Sequence, residues 1–176
     1  MRATSVRPTG EERLLGPDDL IVSKTDPKGV ITYANEVFCE MAAMSEDELL
    51  GQPHNVIRHP DMPRCVFKLL WDTLAAREEV FAYVVNLAAD GKHYWVLAHV
   101  TPTYGPDGDV IGYHSNRRAP ARTAIDAVTG LYETLVAEER RHQKPQEAIE
   151  ASSGLLADVL NERGVTYDEF VWTVTP

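Results

Sequence analysis

Three prolines, two histidines and one arginine fall within the thirteen residues Gly51-Gln52-Pro53-His54-Asn55-Val56-Ile57-Arg58-His59-Pro60-Asp61-Met62-Pro63. Proline fixes its own φ, lacks a backbone donor and pushes the preceding residue out of the helical region. Pro53, Pro60 and Pro63 therefore forbid a regular helix or a central strand across most of this span. What remains is a stiff, irregular loop that carries polar rings and a cation, which has the character of a ligand wall.

The flanking segments read as a mixed α and β chain. The run Leu20-Ile21-Val22 opens a strand that stops at Asp26-Pro27-Lys28-Gly29, where proline second and glycine fourth suit a type I turn, and Val30 to Ala34 returns as its partner. Asn35 caps a helix over 36–43, and Ser45-Glu46-Asp47-Glu48 matches a capping box for a short helix ending at Gly51. Met62 to Arg77 has apolar residues at Val66, Leu69 or Leu70, and Leu74, the spacing of an amphipathic helix. Strand formers fill 80–88 and 92–104 around the turn Ala89-Asp90-Gly91, and Gly105-Pro106-Asp107-Gly108 leads into a last strand over 109–117. The order predicts an α+β fold, a five-stranded antiparallel sheet with helices on one face.

Residues 1–16, with Pro8, Gly10 and Gly16 among charges, read as a loose arm or a short helical cap. Beyond Pro120, Ile125, Val128, Tyr132 and Leu135 mark an amphipathic helix over 121–143. Pro145 begins another, with Ile149, Leu156, Val159 and Leu160 as its stripe and Gly164 as its stop. The terminal Tyr167-Asp168-Glu169-Phe170-Val171-Trp172 is too apolar for a solvated tail and is expected to pack on the domain, on the helices or on a second copy. The chain thus divides into an arm at 1–19, a domain at 20–118 and a helical extension at 119–176.

A length of 176 residues suits one domain with a packed tail. A net charge of -10 argues against a nucleic-acid or anionic-membrane surface, since both need a positive face, and directs the search to proteins and small molecules. Cys39 and Cys65 form no framework, so a reduced, cytoplasmic setting is expected, and no window has the roughly 18 consecutive apolar residues of a membrane helix. No nucleophile-elbow, phosphate-loop or dinucleotide signature occurs, and the carboxylates are scattered over helical faces, so catalysis is not expected. Cys65 beside Arg64 reads as a half-buried helix cysteine rather than a reactive one.

The proline loop, followed by Phe67, Trp71, Thr73 and Leu74, resembles the flavin-binding PAS domains of aerotaxis receptors. The resemblance extends through Ser23-Lys24-Thr25-Asp26, Gly29 to Asn35 and Phe38 upstream, and through Asn86, Gly91, His93 to Val96, Thr101-Pro102 and Gly112-Tyr113 downstream. It implies a PAS fold over 20–118 and noncovalent FAD, with His54, Arg58, His59 and Asp61 in the loop that closes the flavin site, Trp71 on the connector helix, Asn35 before the first helix and Asn86 on the central strand. Asn86 offers both a donor and an acceptor to the pyrimidine edge of the ring. It also stands out by itself, because one asparagine among Val84, Val85 and Leu87 must find partners if its face is buried. Read without the resemblance, His54 and His59 are loop rings bonded to neighbouring carbonyls, Arg58 is a surface cation and Trp71 is a core residue.

The chain departs from the receptors at Val80-Phe81-Ala82-Tyr83 and at Asn86 to Gly91, where they carry an aromatic-glycine step and then a basic run. The slot is therefore differently shaped, and FMN, haem through one of His54, His59, His93, His99 or His114, another ligand or no cofactor stay open as alternatives. A light-driven cysteine adduct is not expected, because Gly51 to Asn55 holds no cysteine. The receptors continue into a membrane anchor and a methyl-accepting signalling region, both of which this chain is expected to lack. The expected protein is a stand-alone cytoplasmic redox or oxygen sensor that signals by association with a chemoreceptor, a kinase or a second copy in a homodimer. The competing expectation is a cofactor-free dimerisation module.

Overall fold

The structure is a computed structural model that describes residues 6–175; residues 1–5 of the expected arm and Pro176 lie outside the described residues. Strands β1 (Ile21–Thr25) and β2 (Ile31–Ala34) form the expected hairpin. Asp26 builds its turn: the backbone oxygen accepts from Gly29 N (3.0 Å), and the carboxylate accepts from Lys28 N and Val30 N. Gly29 takes φ 81°, which only glycine adopts at little steric cost.

Asn35 caps α1 (Glu36–Ala42), and the Ser45/Glu48 capping box starts α2 (Glu46–Leu49). The connector helix α3 (Arg64–Ala75) begins two residues later than the apolar spacing suggests, because Pro63 sits at ψ 137° and stays outside the helix. Strands β3 (Val80–Leu87), β4 (His93–Tyr104) and β5 (Val110–Arg118) complete a five-stranded antiparallel sheet in the order β2-β1-β5-β4-β3.

The two outer strands of that order are β2 and β3, and the proline loop spans them. Its front end pairs with β2, through Ile31 N to Gln52 O and Gly51 N to Ile31 O (both 2.9 Å), and its back end bridges Asn86 of β3 through Arg58. Between these attachments a 3-10 turn over His54–Ile57 is fixed by His54 N donating to Gly29 O at 2.9 Å. The loop is thus a strap across the inner face of the sheet, stiff because its prolines remove backbone freedom.

Side chains alternate along each strand, so Ser23, Val84, Asn86, Ala98, Val100, Ser115 and Arg117 share the inner face. Along β3 and β4 the outer face is covered by α4 (Arg122–Glu139) and α6 (Tyr167–Val174), whose Tyr132 and Trp172 meet Trp95 and Phe81, while Lys24, Tyr33 and Arg118 on the other strands stay exposed. The Tyr132 hydroxyl donates to the Tyr83 carbonyl at 2.6 Å, and the Tyr83 hydroxyl meets Thr175 Oγ1 at 2.7 Å. The terminal apolar run therefore packs on the sheet of its own chain, with Phe170 and Val171 buried.

Helix α5 (Pro145–Arg163) lies against α3 and α4. Its buried stripe is Ala148, Ser152, Leu156 and Leu160, while Ile149 and Val159 lie beside it, partly exposed. Ser152 belongs there because Glu139 Oε1 accepts from its hydroxyl (3.0 Å) as well as from Arg64 N (2.7 Å) and Cys65 N (3.2 Å) at the uncapped start of α3.

The arm is neither loose nor helical where it is described. Strand β5 stops at Arg118, opposite Leu97, and leaves the start of β4 unpaired on that side. Residues 9–13 take the place, Gly10 bending at φ 81° and Glu12 bridging His93, with His93 N donating to Glu11 O (2.9 Å) and Arg13 N to His93 O (2.7 Å).

Candidate ligand site

Between the strap, α3 and the inner face lies a cavity of about 380 Å³. It falls at the lower end of the roughly 300–1,000 Å³ of small-molecule sites. Of the residues singled out in the sequence, His54, Arg58, Trp71 and Asn86 line it. The structure does not bring Asn35, His59 and Asp61 to it.

The reasons are local. Asn35 spends its side chain on architecture: Oδ1 accepts from Val22 N (2.9 Å) and Phe38 N (3.1 Å), and the amide donates to Leu20 O (2.8 Å). His59 is buried outside the cavity, its Nδ1 accepting from Asp61 N (3.1 Å) and its ring set edge-on to His93. Asp61 leaves 60% of its side chain exposed and pairs with Arg140 at 2.7 Å. These residues tie the strap and α1 to β1, β4 and the end of α4.

His54 stacks on Phe38, with 5.7 Å between centroids and 16° between planes. Its Nε2 lies 2.7 Å from Arg117 Nη2 and 3.2 Å from Ser23 Oγ. A guanidinium only donates, so Nε2 accepts and the ring proton sits on Nδ1. Burial, reinforced by the Arg117 charge, pushes the His54 pKa down to about 3, so the ring is neutral at physiological pH.

Arg117 and Lys28 also line the cavity, and sequence reasoning singled out neither as a site residue. Only 3% exposed, Arg117 donates from Nη2 to Ser23 Oγ as well as to His54, from Nε to Ser115 Oγ at 3.1 Å, and its guanidinium sits 4.7 Å from the Phe38 ring centre. Burial lowers its pKa to about 10, which leaves it charged at neutral pH. In the sequence it is one of two adjacent arginines with the look of a surface pair. The available signal was strand alternation, which places Arg117 on one face with Tyr113 and Ser115 and turns Arg118 outward.

Two residues of the cavity wall, Asn86 and Arg117, each carry a buried nitrogen, Nδ2 and Nη1, that has no hydrogen-bond partner among the described residues. Both are donors, and such groups are normally satisfied. Among the described residues the lining contains three cations, Lys28, Arg58 and Arg117, and no carboxylate, although the chain as a whole carries -10. Arg58 donates to Met62 O at 3.2 Å and lies 4.9 Å from the Phe67 ring centre, its pKa lowered by burial and by Arg64. Trp71, 40% exposed, stands edge-on to Tyr113 at 5.4 Å and against Gly29, where a Cβ would come within 3.2 Å of the indole. The wall therefore offers a flat aromatic lip, hydrogen-bond donors at depth and positive charge, a set that suits a planar, acceptor-rich, phosphate-bearing ligand such as a flavin nucleotide.

Two groups weighed from sequence fall outside this chemistry. Burial pushes the Cys65 thiol up to about 11, so it is not a thiolate at neutral pH. Of the histidines considered for haem, only His54 lines the cavity, and its Nε2 is already committed to Arg117.

The family model described as PAS fold matches residues 21–115. The chain is 39% identical over 127 residues to the aerotaxis receptor of Escherichia coli, covering 72% of this chain and 25% of that protein. It is 33% identical over 97 residues to the nitrogen fixation regulatory protein of Klebsiella pneumoniae, covering 55% of this chain and 20% of that protein. The chain thus spans a quarter or less of the length of both relatives. Among solved structures, a light-oxygen-voltage domain studied with a flavin analogue superposes with a TM-score of 0.56 at 18% identity, covering 65% of this chain and 86% of that one. The likeness at that identity concerns the fold.

Proposed function

The chain belongs to the PAS-fold family, and from that premise we propose that it is a sensor that holds FAD noncovalently beneath the strap and reports redox state or oxygen through protein association. The observation that carries the reading is the pair of buried, unpartnered donors in an otherwise formed cavity. Leaving such donors unmet costs about 1–3 kcal/mol each, so the fold gains when a ligand brings acceptors. The resemblance to flavin-binding PAS domains supports the choice of ligand, and the commitment of His54 Nε2 to Arg117 weighs against haem.

A bound flavin supplies a reversible redox centre. Asn86 would donate to its acceptor edge, Trp71 would cover its aromatic surface at the mouth, and Arg58 with Lys28 would attract its phosphates. His54 orients Arg117 and stays neutral, so it adds no charge of its own. Asn35, His59 and Asp61 act at one remove, by anchoring the strap and α1. Strand β3 connects the cavity to the surface: Asn86 faces inward, while the carbonyl of Tyr83 accepts from Tyr132 of α4. A change in what Asn86 must bond to is thereby felt by a strand that α4 and α6 hold from the other side.

No helix of the described residues is long and apolar enough to cross a membrane. We further propose that the sensor acts as a stand-alone cytoplasmic module, with α4 to α6 as the surface read by a chemoreceptor, a kinase or a second copy. The absorption spectrum of the purified protein, and of protein reconstituted with FAD or FMN, tests the reading. Flavin bands in the blue and near-ultraviolet are expected, whereas a Soret band, or no bands after reconstitution, overturns it. Asn86→Ala and Trp71→Ala are each expected to weaken flavin retention about tenfold, equivalent to about 1.4 kcal/mol, with the fold intact. Unchanged retention in both would remove the cavity from the proposal.

A further inference from the structure

We propose that Glu139 is a positioning residue for the ligand cavity: from outside the cavity it fixes the start of α3 and joins that start to Ser152 of α5, so that filling the cavity and docking α5 favour one another. This rests on the flavin reading above and adds to it a route by which the C-terminal helices meet the site.

The start of α3 needs an outside partner. A helix leaves its first amides without intrahelical acceptors, and Pro63 at the N-cap has no side chain that can supply one. A carboxylate from the last turn of α4 does so: Glu139 Oε1 accepts from Arg64 N at 2.7 Å and from Cys65 N at 3.2 Å. Its negative charge also sits at the positive end of the helix dipole. The same oxygen accepts from Ser152 Oγ at 3.0 Å, and Ser152 belongs to the buried stripe of α5. Donors from two helices therefore meet on one oxygen of a third.

What hangs on that start is one wall of the cavity. Phe67, Leu70, Trp71 and Leu74 line it from α3, and the strap runs into the helix at Pro63. A helix is stiff over one or two turns, and Phe67 and Trp71 stand about 5 and 10 Å along it from Arg64, so a shift at the start is passed to both rings.

Magnitudes select Glu139 over its neighbour. Arg140 also grips the strap, through Asp61 at 2.7 Å, but both side chains are more than half exposed, and ion pairs in water add little. A capping bond at a helix start contributes more, and here it is doubled and shared with a buried hydroxyl. A cleft of about 320 Å³, bordered by Pro60, Arg64, Glu139 and Arg140, runs beside the junction, so on that side the contact rests on these bonds more than on packing.

The result is a coupling in both directions. An occupant that packs against Phe67 and Trp71 settles α3 in one position, which holds Glu139 and through it Ser152. A partner that draws α5 away takes Ser152 from the shared oxygen and loosens the wall. Linkage makes the two effects equal in free energy.

The test is equilibrium dialysis of the full chain against FAD, joined to hydrogen exchange with and without the flavin. Glu139→Ala is expected to weaken binding about tenfold. Glu139→Gln keeps an oxygen that can accept the same bonds and is expected to stay within about threefold of the wild type. Arg140→Ala is expected to change affinity by no more than about twofold. Leu135→Ala removes core packing from the same helix, and its folded fraction is expected to bind as the wild type does, which separates positioning from lost stability. In the wild type, flavin is expected to slow exchange around Ser152 of α5 as well as at the start of α3. Wild-type affinity in Glu139→Ala overturns the proposal, as does a loss in Glu139→Gln as large as that in Glu139→Ala. Exchange in α5 that flavin leaves unchanged overturns it too, whether or not any variant folds. If the wild type takes up no flavin, the flavin reading falls and this one with it, an outcome distinct from a loaded protein whose α5 exchanges as it does when empty.

Discussion

The two faces of the sheet are built from the same strands and finished in opposite ways. Outside, Tyr83, Trp95 and Leu97 meet α4 and α6 in a packed layer, and the Tyr132 and Tyr83 hydroxyls each have a partner. Inside, the same strands present Asn86 and Arg117 to an open cavity with donors unmet. The first face has the closed packing and satisfied polar groups that stabilise folds; the second forgoes both. The packed layer and the proposed ligand site are thus separated by the two-residue alternation of a strand, a separation of a few ångströms across one backbone.

That separation can be broken from either side. The largest effect is expected on the outer face, where Leu135 is fully buried. Leu135→Ala should lower the unfolding free energy by about 2–5 kcal/mol in denaturant titration while leaving flavin retention of the folded protein unchanged. A loss of retention at denaturant concentrations where the protein remains folded would mean that the faces are not separable.

A somewhat smaller effect comes from His54 on the inner face. Its ring is neutral in both folded and unfolded chains above its ordinary pKa of 6.5, and there it contributes nothing to pH dependence. As pH falls below 6.5 the unfolded chain takes up a proton that the folded chain refuses until about 3, so stability declines through that window, by on the order of a few kcal/mol. His54→Gln should flatten the upper part of the decline, above the range where carboxylates titrate. Parallel curves for the two proteins would show that the histidine ionises freely in the folded state.

The smallest change sharpens the comparison without disturbing packing. Tyr132→Phe removes one hydroxyl and its bond to the Tyr83 carbonyl, with an expected cost of about 1 kcal/mol in thermal or chemical unfolding. If β3 carries the signal outward, this variant should also alter the difference in helix protection between oxidised and reduced protein, read by hydrogen exchange across α4. An identical difference would place the route elsewhere.

The elements were legible because each is written in local chemistry: the Asp26 turn, the Asn35 and Ser45 caps, the Gly164 stop and the alternation of β3 to β5 all act within a few residues. Asn86 was legible for a related reason, since an amide in a strand of valines is a local anomaly. What escaped depends on which way a side chain turns once the chain has closed on itself. His54 and His59 sit four residues apart in one stiff loop, yet one faces the cavity and the other faces His93. Arg117 and Arg118 are neighbours with opposite fates. Helix lengths were overestimated at both ends of α3 and at the end of α4, because the apolar spacing, Val66 to Leu74 and Ile125 to Leu135, marks the buried stripe and not the termini.

The attachments of the strap and the arm carry a consequence for how copies of this chain behave in a crowded solution. Sheet borders are rows of free amides and carbonyls that invite strands from other molecules and so seed aggregates. Here Gly51 to Pro53 occupy part of one border, Arg58 part of the other, and residues 9–13 the gap beside β4. The two ends of the strap and the arm thus leave fewer free groups at these borders for a strand of another molecule to meet.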